Sequence, residues 1–250
     1  MKSRAIICTH HKAGTVWMRR TFRDICSAQG IAYFRIPGKY KTPALFQAPI
    51  VLVDSNSRWS GPHWDRAFPG GEDDRRLHLI RDPRDVIISA AHYHCTTTES
   101  PFLVAREEFG GATYRQTIAA LPDDRARFRF EMDHHSKRVL GDMAAWDYAR
   151  PDSFELRYED LMEDRDAELF GRAAAHLGFA GESLEGARRM FLKNSLFEGS
   201  PARPAHIRSG KTGQWRDAYD RATAEAFLER FGDILVRLGY EKDDSWIERL

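Results

Sequence analysis

Hydrophobic positions along this chain fall into short continuous runs separated by stretches with a helical repeat. Arg4 to Thr9, Ile31 to Ile36, Ile50 to Asp54, Leu77 to Arg81 and Phe154 to Tyr158 read as strands. Several are apolar on successive residues rather than alternate ones, as in a parallel sheet covered on both faces. Between them, Met18, Phe22 and Ile25 recur at helical spacing. Phe170, Ala173, Ala174 and Leu177 hold one helical face up to Gly178, a residue suited to a helix C-terminus. Phe227, Phe231, Ile234, Leu235 and Leu238 extend another such face to Gly239. The alternation predicts an α/β fold: a single domain over residues 1–250, with a central parallel sheet of about five strands flanked by helices. Ligands of doubly wound folds sit at the carboxyl ends of strands. Thr96 to Arg129, with Gly110-Gly111, Pro122 and many charges, is the least regular stretch and reads as a lid or a substrate-facing insertion. Its Phe102, Phe109, Tyr114 and Phe130 suit either a pocket lining or core. Gly61 to Arg76 reads as a surface connection.

A hydrophobic content of 42% supports a substantial core, and a net charge of +1 offers no bulk attraction to nucleic acid or an anionic membrane. No apolar run reaches transmembrane length, and the N-terminus lacks the apolar region of a signal peptide. Cys8, Cys26 and Cys95 show neither metal-ligand nor disulfide-framework spacing, which suggests inert thiols in a reducing compartment. A soluble, cytoplasmic protein is expected.

The apolar run Ala5-Ile6-Ile7-Cys8 leads into His10-His11-Lys12-Ala13-Gly14-Thr15-Val16-Trp17. A strand, a tight loop and a helix start in that order present backbone amides and the positive helix end to an anion. Lys12 adds a point charge, but it precedes Gly14, so this is not a Walker A loop. A second segment runs from Leu79 to Ser89: a strand ends at Arg81, Asp82 suits a helix cap and Pro83 its first turn. Arg81 with Ser89 can hold a second anion, or Arg81 can simply pair with Asp85. A third, Tyr158-Glu159-Asp160-Leu161, closes a strand. A fourth, Arg208-Ser209-Gly210-Lys211-Thr212-Gly213-Gln214-Trp215, is a basic glycine-rich loop, either an anion clamp or solvated surface.

In this order and spacing the four segments resemble the PAPS-dependent sulfotransferase family, whose domain is P-loop-like. His11 to Trp17 is similar to its K-[SA]-G-T-T-W loop, and Arg81 to Ser89 to its R-[ND]-P-x-D-x-x-x-S motif. Tyr158 to Leu161 matches Y-E-D-L, and Arg208-Ser209-Gly210 with Gly213 and Trp215 is similar to R-K-G-x-x-G-x-W. The resemblance spans residues 4 to about 217. It implies sulfuryl transfer from PAPS to a hydroxyl or amine of a small-molecule or carbohydrate acceptor, with release of PAP. Lys12 is implied to stabilise the breaking phosphate–sulfate bridge. The amides of Ala13, Gly14, Thr15 and Val16, with the Thr15 hydroxyl, are implied to hold the 5′-phosphate. Trp17 and Tyr158 are placed by the adenine, Arg81, Ser89 and Arg208 on the 3′-phosphate, and Ser209 and Gly210 in the closing loop. Ser195 and Phe197 are a looser match to a family segment near the base.

The chain departs from the family pattern at three places. Val16 replaces a second hydroxyl. Ser209 stands where a lysine is usual, with Lys211 a possible substitute. The K-T-H sequence that carries the base in many members is absent, and Asp54-Ser55-Asn56-Ser57 follows the corresponding strand. Asp54 is the first candidate for the general base, His63 the second, and His10 or His11 the third. The pairs His92/His94 and His134/His135 are weak metal signals, and no metal is expected. Two alternatives stay open: a non-catalytic PAP-binding sensor or scaffold, and a nucleotide kinase-like phosphotransferase.

Overall fold

The computed structural model describes residues 5–36, 50–53, 74–197 and 210–250. Asp54, His63, Arg208 and Ser209 lie outside the described residues. In chain order the elements are β1 (Ala5–Thr9), α1 (Thr15–Gln29), β2 (Tyr33–Ile36), β3 (Ile50–Val53), β4 (Arg75–Ile80), α2 (Pro83–Thr96), α3 (Tyr114–Ala119), α4 (Asp124–Asp133), α5 (His135–Ala144), β5 (Ser153–Arg157), α6 (Tyr158–Glu163), α7 (Glu168–His176), α8 (Glu182–Lys193), α9 (Trp215–Ala218), α10 (Arg221–Phe231) and α11 (Ile234–Arg237). Contacts divide the chain into two compact units, Met1–Arg81 with Ala145–Thr212, and Asp82–Ala144 with Gly213–Leu250. Among the described residues no helix is long and apolar enough to cross a membrane.

The first unit holds a sheet of order β2-β3-β1-β4-β5, with every neighbouring pair parallel. β1 is buried along its whole length, as its apolar run requires. The strands after β1 run first to one side of it and then, from β4, to the other. That reversal makes the carboxyl ends of β1 and β4 the topological switch point, where such sheets place a ligand. α1 buries Trp17, Met18, Phe22, Ile25 and Cys26, the face that the periodicity indicated, and closes at Gly30 in the left-handed region. Phe22 meets Phe170 of α7, which stacks on Phe191 of α8 at 4.4 Å. α7 ends in a Schellman motif: Gly178 takes φ 97°, its amide donates to the Ala175 carbonyl, and the Phe179 amide to that of Ala174.

Two of the boundaries that differ from the sequence reading stand out. β4 begins at Arg75, inside the stretch read as a surface connection, because the buried Arg76 guanidinium is neutralised by Asp152. Tyr158, read as the end of a strand, starts α6.

The second unit is helical among its described residues. Thr96 to Arg129 is more regular than its composition suggested. Single 3-10 turns at Ser100–Phe102 and Glu107–Phe109 lead into α3, which opens with a reciprocal capping box between Thr113 and Gln116. Asp123 caps α4 by accepting from the Ala126 amide. Phe102 and Tyr114 are buried, and the Tyr114 and Phe130 rings meet edge to face at 5.0 Å, so these aromatic residues build core. The fully buried Glu131 beneath them accepts from the Tyr114 and Ser136 hydroxyls. The face from Phe227 to Leu238 is two helices rather than one. Gly232, at φ 52°, terminates α10, and α11 starts afresh at Ile234.

Candidate active site

The loop after β1 is built by its own hydrogen bonds. The His10 carbonyl accepts from the Ala13 amide (3.0 Å) and from the Thr15 hydroxyl (2.9 Å), and Thr15 Oγ1 also lies 2.9 Å from Thr9 Oγ1. The Ala13 amide and the Thr15 hydroxyl thereby help to hold the loop. The amides of Gly14, Thr15 and Val16 stand at the start of a fifteen-residue helix with no side-chain cap.

Lys12 has φ 64°, a left-handed conformation that a non-glycine residue seldom keeps without reason. Gly14 has φ 100°, and a Cβ there would stand 3.1 Å from Leu79 and 3.2 Å from Tyr158. Glycine is therefore required twice over, by its backbone angle and by the approach of the Tyr158 ring.

Arg81, at the carboxyl end of β4, joins this loop to two others. Its guanidinium donates to the Lys12 carbonyl (3.2 Å) and the Lys211 carbonyl (3.1 Å) and lies 4.5 Å from the centre of the Tyr158 ring. The Tyr158 hydroxyl donates to the Gly210 carbonyl (3.2 Å). Lys12, Gly14, Arg81, Tyr158, Gly210 and Lys211 thus share one hydrogen-bonded and packed cluster. Trp17 packs between Tyr158 (6.0 Å, edge on) and Phe191 (5.3 Å, stacked). Its indole N–H is buried with no partner among the described residues. Phe197 touches Phe191 and lies under the Arg165 guanidinium, and Ser195 is buried at the end of α8.

The second unit carries the remaining motif residues. Ser89 is partly exposed on α2, whose cap Asp82 accepts from the Arg84 amide. Asp85 accepts from the Gly213 amide (2.8 Å) and the Trp215 amide (3.2 Å). It thereby anchors the glycine-tryptophan end of the basic loop, a role the sequence did not reveal. Arg84, almost fully buried, pairs with Asp82 and Glu241 and lies 3.5 Å from the Trp215 ring centre.

His78 and Glu155 also escaped sequence reading, because each sits inside a strand. They are partners in the β4–β5 register, and His78 Nδ1 lies 2.7 Å from Glu155 Oε2. His78 Nε2 lies 2.7 Å from His10 Nε2, and the Trp146 ring stacks on the His78 imidazole. Burial holds the His78 imidazole down to about 3. Burial and then the charge of His78 hold His10 well below its ordinary value. Burial lifts the Glu155 carboxyl to about 8, against the opposing pull of Arg157.

No family model matches the chain. Human sulfotransferase 6B1 is 21% identical over 252 aligned residues, covering 92% of this chain and 76% of that protein. Mouse sulfotransferase SULT7A1, solved as a complex with PAP, shares the fold at a TM-score of 0.63 and 14% identity, over 99% of this chain and 88% of that one. The chain is thus similar in sequence to one sulfotransferase and shares its α/β fold with another.

Proposed function

We propose that the chain is a PAPS-dependent sulfotransferase, one domain over residues 1–250, acting in the cytoplasm on a hydroxyl or amine of a small-molecule or carbohydrate acceptor. The reading is metal-independent in-line displacement with release of PAP. The observation that carries it is the Arg81 bridge, which ties the Lys12 loop to the Lys211 segment beside Tyr158 at the switch point of the sheet.

The residues present suit such a nucleotide. The start of α1 is uncapped, and the buried Trp17 N–H has no protein partner among the described residues. When bound, PAPS supplies the sulfuryl group and leaves as PAP. The amides of Ala13, Gly14, Thr15 and Val16, with the Thr15 hydroxyl, hold the 5′-phosphate. Arg81, Ser89 and Arg208 take the 3′-phosphate, each charge-assisted bond contributing roughly 1.5–3 kcal/mol. Trp17, Tyr158, Ser195 and Phe197 flank the adenine, and Ser209, Gly210 and Lys211 close over the nucleotide. Lys12 carries positive charge to the bridging oxygen as negative charge develops there. Asp54, which follows β3 in the sequence, is the first candidate to accept the acceptor's proton, and His63 the second.

Thermal-shift titration tests the binding half. PAP raises the melting temperature clearly, whereas AMP and ATP, lacking the 3′-phosphate, raise it little. Equal stabilisation by ATP would overturn the 3′-phosphate assignment. Lys12→Ala lowers kcat by about 10²–10³ and changes PAP affinity far less. Labelled PAPS with a panel of acceptors tests transfer, and PAP binding without any transfer would favour the sensor.

A further inference from the structure

The His10 carbonyl that builds the anion loop belongs to a residue whose imidazole begins a buried hydrogen-bonded chain, His10–His78–Glu155. We propose that Glu155, acting through His78 and His10, is a positioning residue for this loop and couples its anion affinity to pH. The inference rests on the reading of the loop as the 5′-phosphate cradle.

The polarity of the chain is fixed by proton counting. Two ring nitrogens 2.7 Å apart require one donor and one acceptor. When Glu155 is ionised, His78 Nδ1–H donates to it, His78 Nε2 accepts from His10 Nε2–H, and His10 Nδ1 is left as a bare lone pair. When Glu155 is protonated on Oε2, it donates to His78 Nδ1, His78 Nε2–H donates to His10 Nε2, and His10 Nδ1 carries the proton. The second state holds one proton more, exchanged with solvent, and neither imidazole becomes charged. Two observations favour this two-state chain. His10 and His78 are fully buried, which penalises an imidazolium. The Glu155 side chain remains 33% exposed, giving the proton a route to water.

On the same face of the sheet are Arg76, neutralised by Asp152, and Arg157. Trp146 and Tyr148 cover His78, and His11 and Lys12 follow His10 in the loop. The protonated state replaces a carboxylate by a neutral acid and a lone pair by an N–H beneath an anion loop. Anion binding is therefore tighter in that state.

The test measures PAP affinity between about pH 7 and about pH 9.5, where phosphate monoesters are already about nine-tenths or more dianionic. The wild-type protein loses about fivefold in affinity across this range, with a midpoint near pH 8. Glu155→Gln binds PAP with no such pH dependence. Nitrogen NMR of the two imidazoles in the ligand-free protein reads the chain directly: both tautomers invert with one midpoint in the wild type and stay fixed in Glu155→Gln. Wild-type affinity that is flat across the range, or tautomers that do not invert, would overturn the inference. Absence of PAP binding at every pH with inverting tautomers would instead overturn the cradle reading and leave the chain standing.

Discussion

Gly14 and Tyr158 show how one contact ties the loop to the rest of its unit. A methyl group on Gly14 meets the Leu79 and Tyr158 side chains at 3.1 and 3.2 Å, on a backbone at φ 100° that L-residues resist. Gly14→Ala therefore costs about 1–3 kcal/mol in stability and removes the PAP-induced thermal shift. Urea unfolding and PAP titration of the variant check both halves, and a normal shift at normal stability would exclude the close-approach argument. At this scale the sequence was informative about Lys12, Gly14 and Arg81, because their chemistry lies in local order: a strand end, a tight loop, a helix start. It was silent on the partner of Gly14, since the ring that fills the space arrives from 144 residues away. It was equally silent on the internal use of the Ala13 amide and the Thr15 hydroxyl. Donors that a motif assigns to a ligand also hold the loop together.

Within α2 the first turn does structural work that its motif does not announce. Asp82 caps the helix through the Arg84 amide and also pairs with the buried Arg84 guanidinium, which Glu241 and the Trp215 ring complete. Asp82→Ala removes the cap and leaves a buried cation short of a partner, at a cost of about 3–5 kcal/mol in urea unfolding. Asp82→Asn keeps a capping oxygen but loses the charge, so most of that cost remains, and a small loss in this variant would refute the charge argument. Asp85→Ala releases the Gly213 and Trp215 amides, so Trp215 fluorescence shifts toward that of a solvated indole before global unfolding. An unchanged spectrum would deny Asp85 the anchoring role. Elements with one dominant signal were legible: β1 by its apolar run, α1 and α7 by their faces. Arg75 and Arg76 hid the start of β4, because the neutralising Asp152 is remote in sequence. Charges likewise disguised α3 and α4, although the Thr113–Gln116 pair was a readable helix start.

Across both units, ionisable groups held away from their usual protonation state set the pH response of the whole protein. His10 and His78 are held neutral by burial, and burial also pushes His135 down to about 2. The unfolded chain protonates these groups near pH 6.5 while the folded protein does not. Stability therefore falls as pH drops below about 6.5, by about 1.4 kcal/mol per pH unit for each fully buried histidine. Glu155 acts with the opposite sign. Its folded value of about 8 stands above the usual glutamate range. The stability it contributes is complete below about pH 4.5 and is lost as pH rises toward 8. Between 4.5 and 6.5 the histidines outnumber the single glutamate and stability climbs with pH, whereas above 6.5 only the glutamate term remains and stability declines. Maximum stability accordingly falls near pH 6.5. Urea unfolding across the range checks the curve. Glu155→Gln removes the decline between about 6.5 and 8 and steepens the climb between about 4.5 and 6.5, while a decline of the same depth in that variant would assign the alkaline loss to another group.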